Sequence, residues 1–133
     1  MIVLDTHVLL WMDRDDAALG PQTRLAITQA WAQGEVAVSA ISFWECAMLA
    51  QRGKITLPTE SEVWRADLLQ AGVREIPLDG RIAQLSTRLH GMHRDPADRF
   101  IVATAIHSNA TLLTADKKIL DWHGELMAEA ADK

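Results

Sequence analysis

Cysteine is nearly absent: Cys46 is the only one in 133 residues. One thiol can form neither an internal disulfide nor a zinc cluster, so disulfide scaffolds are excluded and a reducing cytosol is the expected compartment. Long apolar runs are missing too. No stretch approaches the roughly 20 residues of a membrane span, so no membrane partner is expected. The first residues, "MIVLDTH", have no basic region and meet an aspartate at position 5, which argues against a secretory signal. Basic excess is also lacking. The formal charge is -5, so there is no chain-wide positive footprint for nucleic acid. A nucleic-acid ligand would have to be drawn in by local arginines or bound metal cations. Repeats, low-complexity segments and linkers are absent. What is left, 49% apolar and 23% charged, reads as one globular domain over 1–133.

Short apolar runs alternate with helical patterns. "IVLD" (2–5), "VAVSAI" (36–41), "VREIPL" (73–78) and "TLLT" (111–114) read as strands. Helices are expected over 7–13, 20–34, 42–53, 59–72, 79–91, 95–109 and 115–123. Pro21 and Gly34 bracket the second of these, while Ser42 and Gly53 are expected to cap the third. The tail from 124 to 133, "GELMAEAADK", has no β-branched run and reads as helix or as a flexible segment, which makes a fifth strand doubtful. Continuously apolar strands joined through helices imply a parallel sheet covered on both faces. The fold class is therefore α/β, a three-layer α/β/α domain with an open, mostly parallel sheet of four or five strands. Such sheets bind ligands beyond the carboxyl ends of their strands, where the strand order reverses.

Four acids fall at strand ends or helix starts. Asp5 ends the first strand and Asp116 follows the fourth. Glu45 is expected in the first turn of the helix after the second strand, and Asp98 in the first turn of the helix before the fourth. Each has a plainer reading as a cap. Ser42-x-x-Glu45 and Thr59-x-x-Glu62 are capping-box patterns, Asp95-x-x-Asp98 is the same with a shorter acid, and Asp116 suits "KKIL". Asp5 is harder to explain that way. It adjoins an apolar strand with no basic neighbour, and a buried carboxylate without a partner is costly. If the four carboxylates converge, a hard divalent cation with oxygen ligands relieves their repulsion.

Taken together, "IVLDTHVLLW", "SAISFWE", "HRDPADRFIVATA" and "TLLTAD" resemble, in this order and over nearly the whole chain, the PIN-domain ribonucleases of the VapC toxin type. The resemblance implies a metal-dependent endoribonuclease, the toxin of a toxin–antitoxin system, neutralised by a VapB-type antitoxin. It carries the family's acids onto Asp5, Glu45, Asp98 and Asp116 and leaves Asp95 as a cap. It implies one or two Mg2+ or Mn2+ ions, in-line attack by water, and products with a 5′-phosphate and a 3′-hydroxyl. Asp5 and Asp98 are expected as direct ligands, with Glu45 and Asp116 acting through water or on the nucleophile. Thr6 and Thr114 are expected to hydrogen-bond the carboxylates, and Arg94 and Arg99 to contact RNA phosphates unless they pair with local acids. A homodimer is implied, with an antitoxin arginine suited to the acid pocket.

Two rivals are set against this reading. A receiver-like signalling domain needs an acidic pair after strand one and a phosphorylatable aspartate ending strand three. Here there is only Asp5, and Asp79 in "PLDG" looks like a cap. A non-catalytic RNA- or protein-binding PIN-like domain is disfavoured because all four acids are present. His7, His90, His93, His107 and His123 lack paired metal-ligand spacing, so none is assigned a site role. Cys46 reads as a buried small hydrophobe.

Overall fold

The computed structural model describes all 133 residues. Five short strands, β1 (Ile2–Leu4), β2 (Val36–Ser39), β3 (Arg74–Ile76), β4 (Thr111–Thr114) and β5 (Met127–Ala130), form one sheet in the order β3-β2-β1-β4-β5. Every pairing is parallel. The chain starts in the middle, builds outward through β2 and β3, then crosses back to build β4 and β5 on the other side. The strand order reverses between β1 and β4, so that is where the carboxyl ends should open a crevice.

Seven helices cover the sheet: α1 (Thr6–Asp13), α2 (Pro21–Ala32), α3 (Ala40–Gln51), α4 (Ser61–Ala71), α5 (Gly80–Ser86), α6 (Pro96–His107) and α7 (Lys117–Leu120). Strand side chains alternate between the faces. Leu4, Val38 and Leu113, opposite one another in register, pack with Leu9, Ile27, Cys46, Trp64 and Leu68 of α1 to α4. Val3, Ala37 and Leu112 pack on the other face with Ile82, Ile101, Ala105 and Ile119 of α5 to α7. These two apolar layers make the central strands wholly buried, which explains why their sequences show no polar alternation.

Several expected boundaries move, each for a local reason. Helix α3 begins at Ala40, because the Ser39 hydroxyl accepts from the Ile41 amide at 3.2 Å. Ser42 is therefore inside the helix and fully buried, sharing a 2.9 Å hydrogen bond with the Thr6 hydroxyl. The expected Ser42–Glu45 capping box does not form. Neither does the Thr59–Glu62 box: α4 starts after Glu60 with no side-chain cap, and the Thr59 hydroxyl donates to the Glu60 carbonyl. Helix α5 ends at Ser86 instead of reaching residue 91.

The tail is neither helical nor a loose end. Residues 127–130 form β5 along β4, Ala131 is fully buried, and its amide donates to the Thr114 carbonyl at 2.9 Å. Carbonyls of Ala131 and Lys133 accept from the amides of Gly20 and Thr23 at the start of α2, both at 3.0 Å. Tertiary hydrogen bonding thus makes a strand from residues of low intrinsic strand preference. No helix is long and apolar enough to cross a membrane.

Candidate active site

Asp5 leaves the end of β1 directly into α1 as its N-cap. It is 3% exposed. One partner is adjacent and one distant in sequence: Oδ1 accepts from the Thr6 amide at 2.8 Å, and Oδ2 accepts from the Thr114 hydroxyl at 2.7 Å. The Thr114 hydroxyl also accepts from the Asp116 amide at 3.0 Å, and Asp116 in turn caps α7 through the Lys118 amide at 2.9 Å. One threonine at the end of β4 therefore ties together the acids of two neighbouring strand ends.

Glu45 comes from the second turn of α3, one turn later than the sequence suggested. Its Oε1 accepts from the Thr6 hydroxyl at 2.6 Å. The aspartates of the α6 start divide their tasks. Asp95 is the N-cap, accepting from the amides of Ala97 and Asp98 at 3.0 and 3.3 Å. Asp98, free of capping duty, extends its carboxylate towards His93, whose Nε2 lies 2.7 Å from Asp98 Oδ2.

The electrostatics couple each of the four acids to at least one other. Glu45 is raised above its usual carboxylate range, first by burial, against the opposing hydrogen bond from Thr6, and then by the charges of Asp5, Asp98 and Asp95. Asp98 is also raised by burial, opposed by the His93 hydrogen bond, and raised further by Asp95, Asp5 and Asp116. No lysine or arginine offsets either shift. Such a cluster of hard oxygen donors, crowded and short of protein cations, has the chemistry of a divalent-cation site.

Two histidines that spacing arguments passed over lie at this centre. A His93 ring nitrogen, an Asp98 oxygen and an Asp116 oxygen lie within 4.8 Å of one another. His7 Nε2 accepts from the Ala115 amide at 2.9 Å, which places the neutral ring's proton on Nδ1, 3.7 Å from Asp5 Oδ2. Neither was visible as ligand spacing because neither pairs with a second residue along one helix. Both are brought in by turns at strand or helix ends.

The two arginines separate. Arg99 makes no ion pair and does not face outward. Its Nε, Nη1 and Nη2 donate to the carbonyls of His93, Ser86 and Met92 at 2.9, 3.0 and 2.6 Å. A guanidinium so engaged is not available to a phosphate, which removes Arg99 from the expected RNA contacts. Arg94 is exposed and pairs with no acid. Cys46 is fully buried, with its thiol pushed up to about 12 by burial and by the charges of Glu45 and Asp13, so it is no nucleophile. Asp13, at the end of α1, accepts from the Trp64 indole at 2.9 Å.

A parallel sheet with acids at the strand ends flanking its reversal point defines an α/β domain with an acidic centre. A PIN domain model matches residues 2–122, and the chain belongs to the PIN-domain family. Among its relatives is Ribonuclease VapC22 of Mycobacterium tuberculosis, 34% identical over 119 residues, which are 89% of this chain and 88% of that protein. The fold is shared with VapBC2 from Rickettsia felis bound to a promoter DNA fragment, at a TM-score of 0.71, 18% identity and 98% coverage of both chains. A toxin–antitoxin complex from Klebsiella pneumoniae gives a TM-score of 0.66 at 20% identity, again over 98% of both chains. The receiver-like alternative falls with this result. In addition, β3 lies at the sheet edge and Asp79 serves as the α5 cap, accepting from the Ile82 amide at 3.0 Å.

Proposed function

We propose that the chain is a VapC-type endoribonuclease toxin that hydrolyses RNA phosphodiester bonds with a divalent cation and is neutralised by a VapB-type antitoxin. The observation that carries this reading is the grouping of Asp5, Glu45, Asp98 and Asp116, with Glu45 raised by burial and by the charges of Asp5, Asp98 and Asp95, and Asp98 raised by burial and by those of Asp95, Asp5 and Asp116. Relationship to a ribonuclease of the VapC type supports the substrate class and the antitoxin partner. A homodimer and a cytoplasmic location belong to the same reading.

The donor set fits Mg2+ or Mn2+: all four acids offer hard oxygens, and no lysine or arginine pairs with them. Asp5 and Asp98 would hold the ion or ions directly, with Glu45 and Asp116 contributing through water. When bound, the cation supplies Lewis acidity to the scissile phosphate and makes water more acidic. The chain's own groups do the rest. Thr6 aims Glu45, whose raised affinity for protons suits it to take one from the attacking water. Thr114 holds Asp5 and the Asp116 backbone in one frame. Arg94, at the rim, is free to meet a flanking phosphate, which a chain of net charge -5 needs. Attack by water in line with the departing 3′-oxygen leaves 5′-phosphate and 3′-hydroxyl ends.

The test compares the two aspartates of "HRDPADRF". Asp98→Asn should lose Mn2+ binding in calorimetry and RNA cleavage. Asp95→Asn should keep both and lose about 1 kcal/mol of stability or less, since asparagine also caps. Equal cleavage by both variants and the parent would sink the assignment.

A further inference from the structure

Asp98 is held from outside the acid cluster. We propose that His93 is a positioning residue for Asp98, and that Arg99 is the clamp fixing the loop on which His93 sits. The inference rests on the reading of Asp98 as a cation ligand.

The geometry starts with the chain path. His93 lies two residues before the Asp95 cap, so the loop turns back over the first turn of α6 and brings the imidazole against Asp98, with Nε2 to Oδ2 at 2.7 Å. That bond engages one carboxylate oxygen and leaves Oδ1 without a hydrogen-bond partner from the chain. A flexible aspartate at a helix start samples several rotamers; this bond selects one.

His93 is not itself built as a ligand, although one of its ring nitrogens lies within 4.8 Å of Asp98 and Asp116 oxygens. An imidazole that binds metal usually has its other nitrogen hydrogen-bonded, which fixes tautomer and ring plane. In His93 the arrangement is reversed. Nε2 is engaged with the carboxylate, and Nδ1 is buried with no hydrogen-bond partner. Nothing on the far side of the ring orients it, so its placement depends on its backbone.

That backbone is what Arg99 holds. One residue after Asp98, its guanidinium reaches back to the carbonyls of Ser86, Met92 and His93. Leu89 and Met92, both buried, anchor the same loop from below. The three donors form a planar fork, which a lysine cannot reproduce. Adjacent residues of α6 thus have paired tasks: Asp98 faces the cluster, and Arg99 secures the loop that orients it.

The experiment is Mn2+ calorimetry on the full chain, with thermal melts in EDTA as the fold control. His93→Leu should weaken Mn2+ binding about 10–100-fold, the usual consequence of losing a partner of a metal ligand. His93→Gln, which retains an N–H donor, should bind close to the parent. Arg99→Lys should also weaken binding, while melting as a folded protein. If His93→Leu binds like the parent while Asp98→Asn does not, the positioning role is overturned and the acid site stands. If His93→Gln is as weak as His93→Leu, the imidazole ligates directly and the proposal is wrong. If Asp98→Asn itself binds like the parent, the site reading fails instead. Should His93→Leu not fold, the glutamine and lysine variants still decide between these outcomes.

Discussion

Thr114 and Asp5 meet at the point where the sheet's strand order reverses. The Thr114 hydroxyl donates to Asp5 Oδ2 at 2.7 Å and accepts from the Asp116 amide at 3.0 Å. Both residues are at most 3% exposed, so bulk water does not replace the bond between them. Replacing Thr114 by valine keeps the shape but leaves a buried carboxylate oxygen and an amide unpaired. The expected loss is about 1–3 kcal/mol, read by urea denaturation in EDTA. Thr114→Ser retains the hydroxyl and should recover most of it. A valine variant as stable as the parent would mean the bond holds no net weight.

The raised carboxyls give the metal-free protein a pH signature. The ordinary values are 4.5 for Glu45 and 3.8 for Asp98, and both are higher in the fold, foremost through burial. A group with a raised folded pKa binds its proton more tightly when folded. Its stabilising contribution is therefore complete below the unfolded value and is lost as pH rises through the folded value. In EDTA, these two acids should make stability fall as pH climbs out of the acid range towards neutrality. Glu45→Gln removes one charge while its amide oxygen can still accept from Thr6. It should melt higher than the parent at neutral pH in EDTA, and the gap should close at low pH. A variant melting lower at neutral pH would count against charge crowding.

Cation binding should reverse that trend. An ion that binds only the folded state stabilises by mass action, about 2.7 kcal/mol at a hundredfold excess over its Kd. Mn2+ should raise the parent's Tm in proportion and leave Asp98→Asn nearly unmoved. The effect should weaken as pH falls and the carboxyls take up protons. A shift equal in both proteins would place the ion elsewhere.

The sheet and its acids were readable because burial on both faces leaves a strong mark: "IVLD", "VAVS" and "TLLT" are apolar without alternation, and each is closely followed by a strand-end or helix-start signal. What could not be read depended on distant partners. Ser42 looks like a cap from its spacing to Glu45, yet Ser39 caps instead because Ser42 is drawn to Thr6, 36 residues earlier. Glu45 was expected in the first turn of its helix, yet it lies in the second turn of α3 and is aimed by Thr6. Asp95 and Asp98 were separable because only the residue just before Pro96 can cap. His93 was overlooked because its meaning lies in a turn, and Arg99 was misread because an arginine beside an acid suggests ion pairing until three carbonyls are seen around it.

The misread tail supplies the last prediction, and it reaches the site. "MAEA" becomes a strand because β4 offers it an edge, and the end of the chain then seals against α2. Gly20, the α2 N-cap, lets this happen: a Cβ there would run into the backbone of Asp132 and Lys133. Its φ of -72° is ordinary, so the requirement for glycine is room and not conformation. Gly20→Ala should push residues 131–133 away and cost about 1–3 kcal/mol, as overpacking does. The consequence extends further, because the Ala131 amide donates to the Thr114 carbonyl at 2.9 Å while the Thr114 hydroxyl holds Asp5. Loosening the tail therefore loosens the end of β4 that frames two of the acids. Hydrogen exchange should show faster amide exchange across 127–131 in Gly20→Ala, together with a measurable fall in Mn2+ affinity. Faster exchange with unchanged affinity would show that the bond from β1 and the Asp116 turn are enough to hold Thr114, and that the fifth strand serves stability alone.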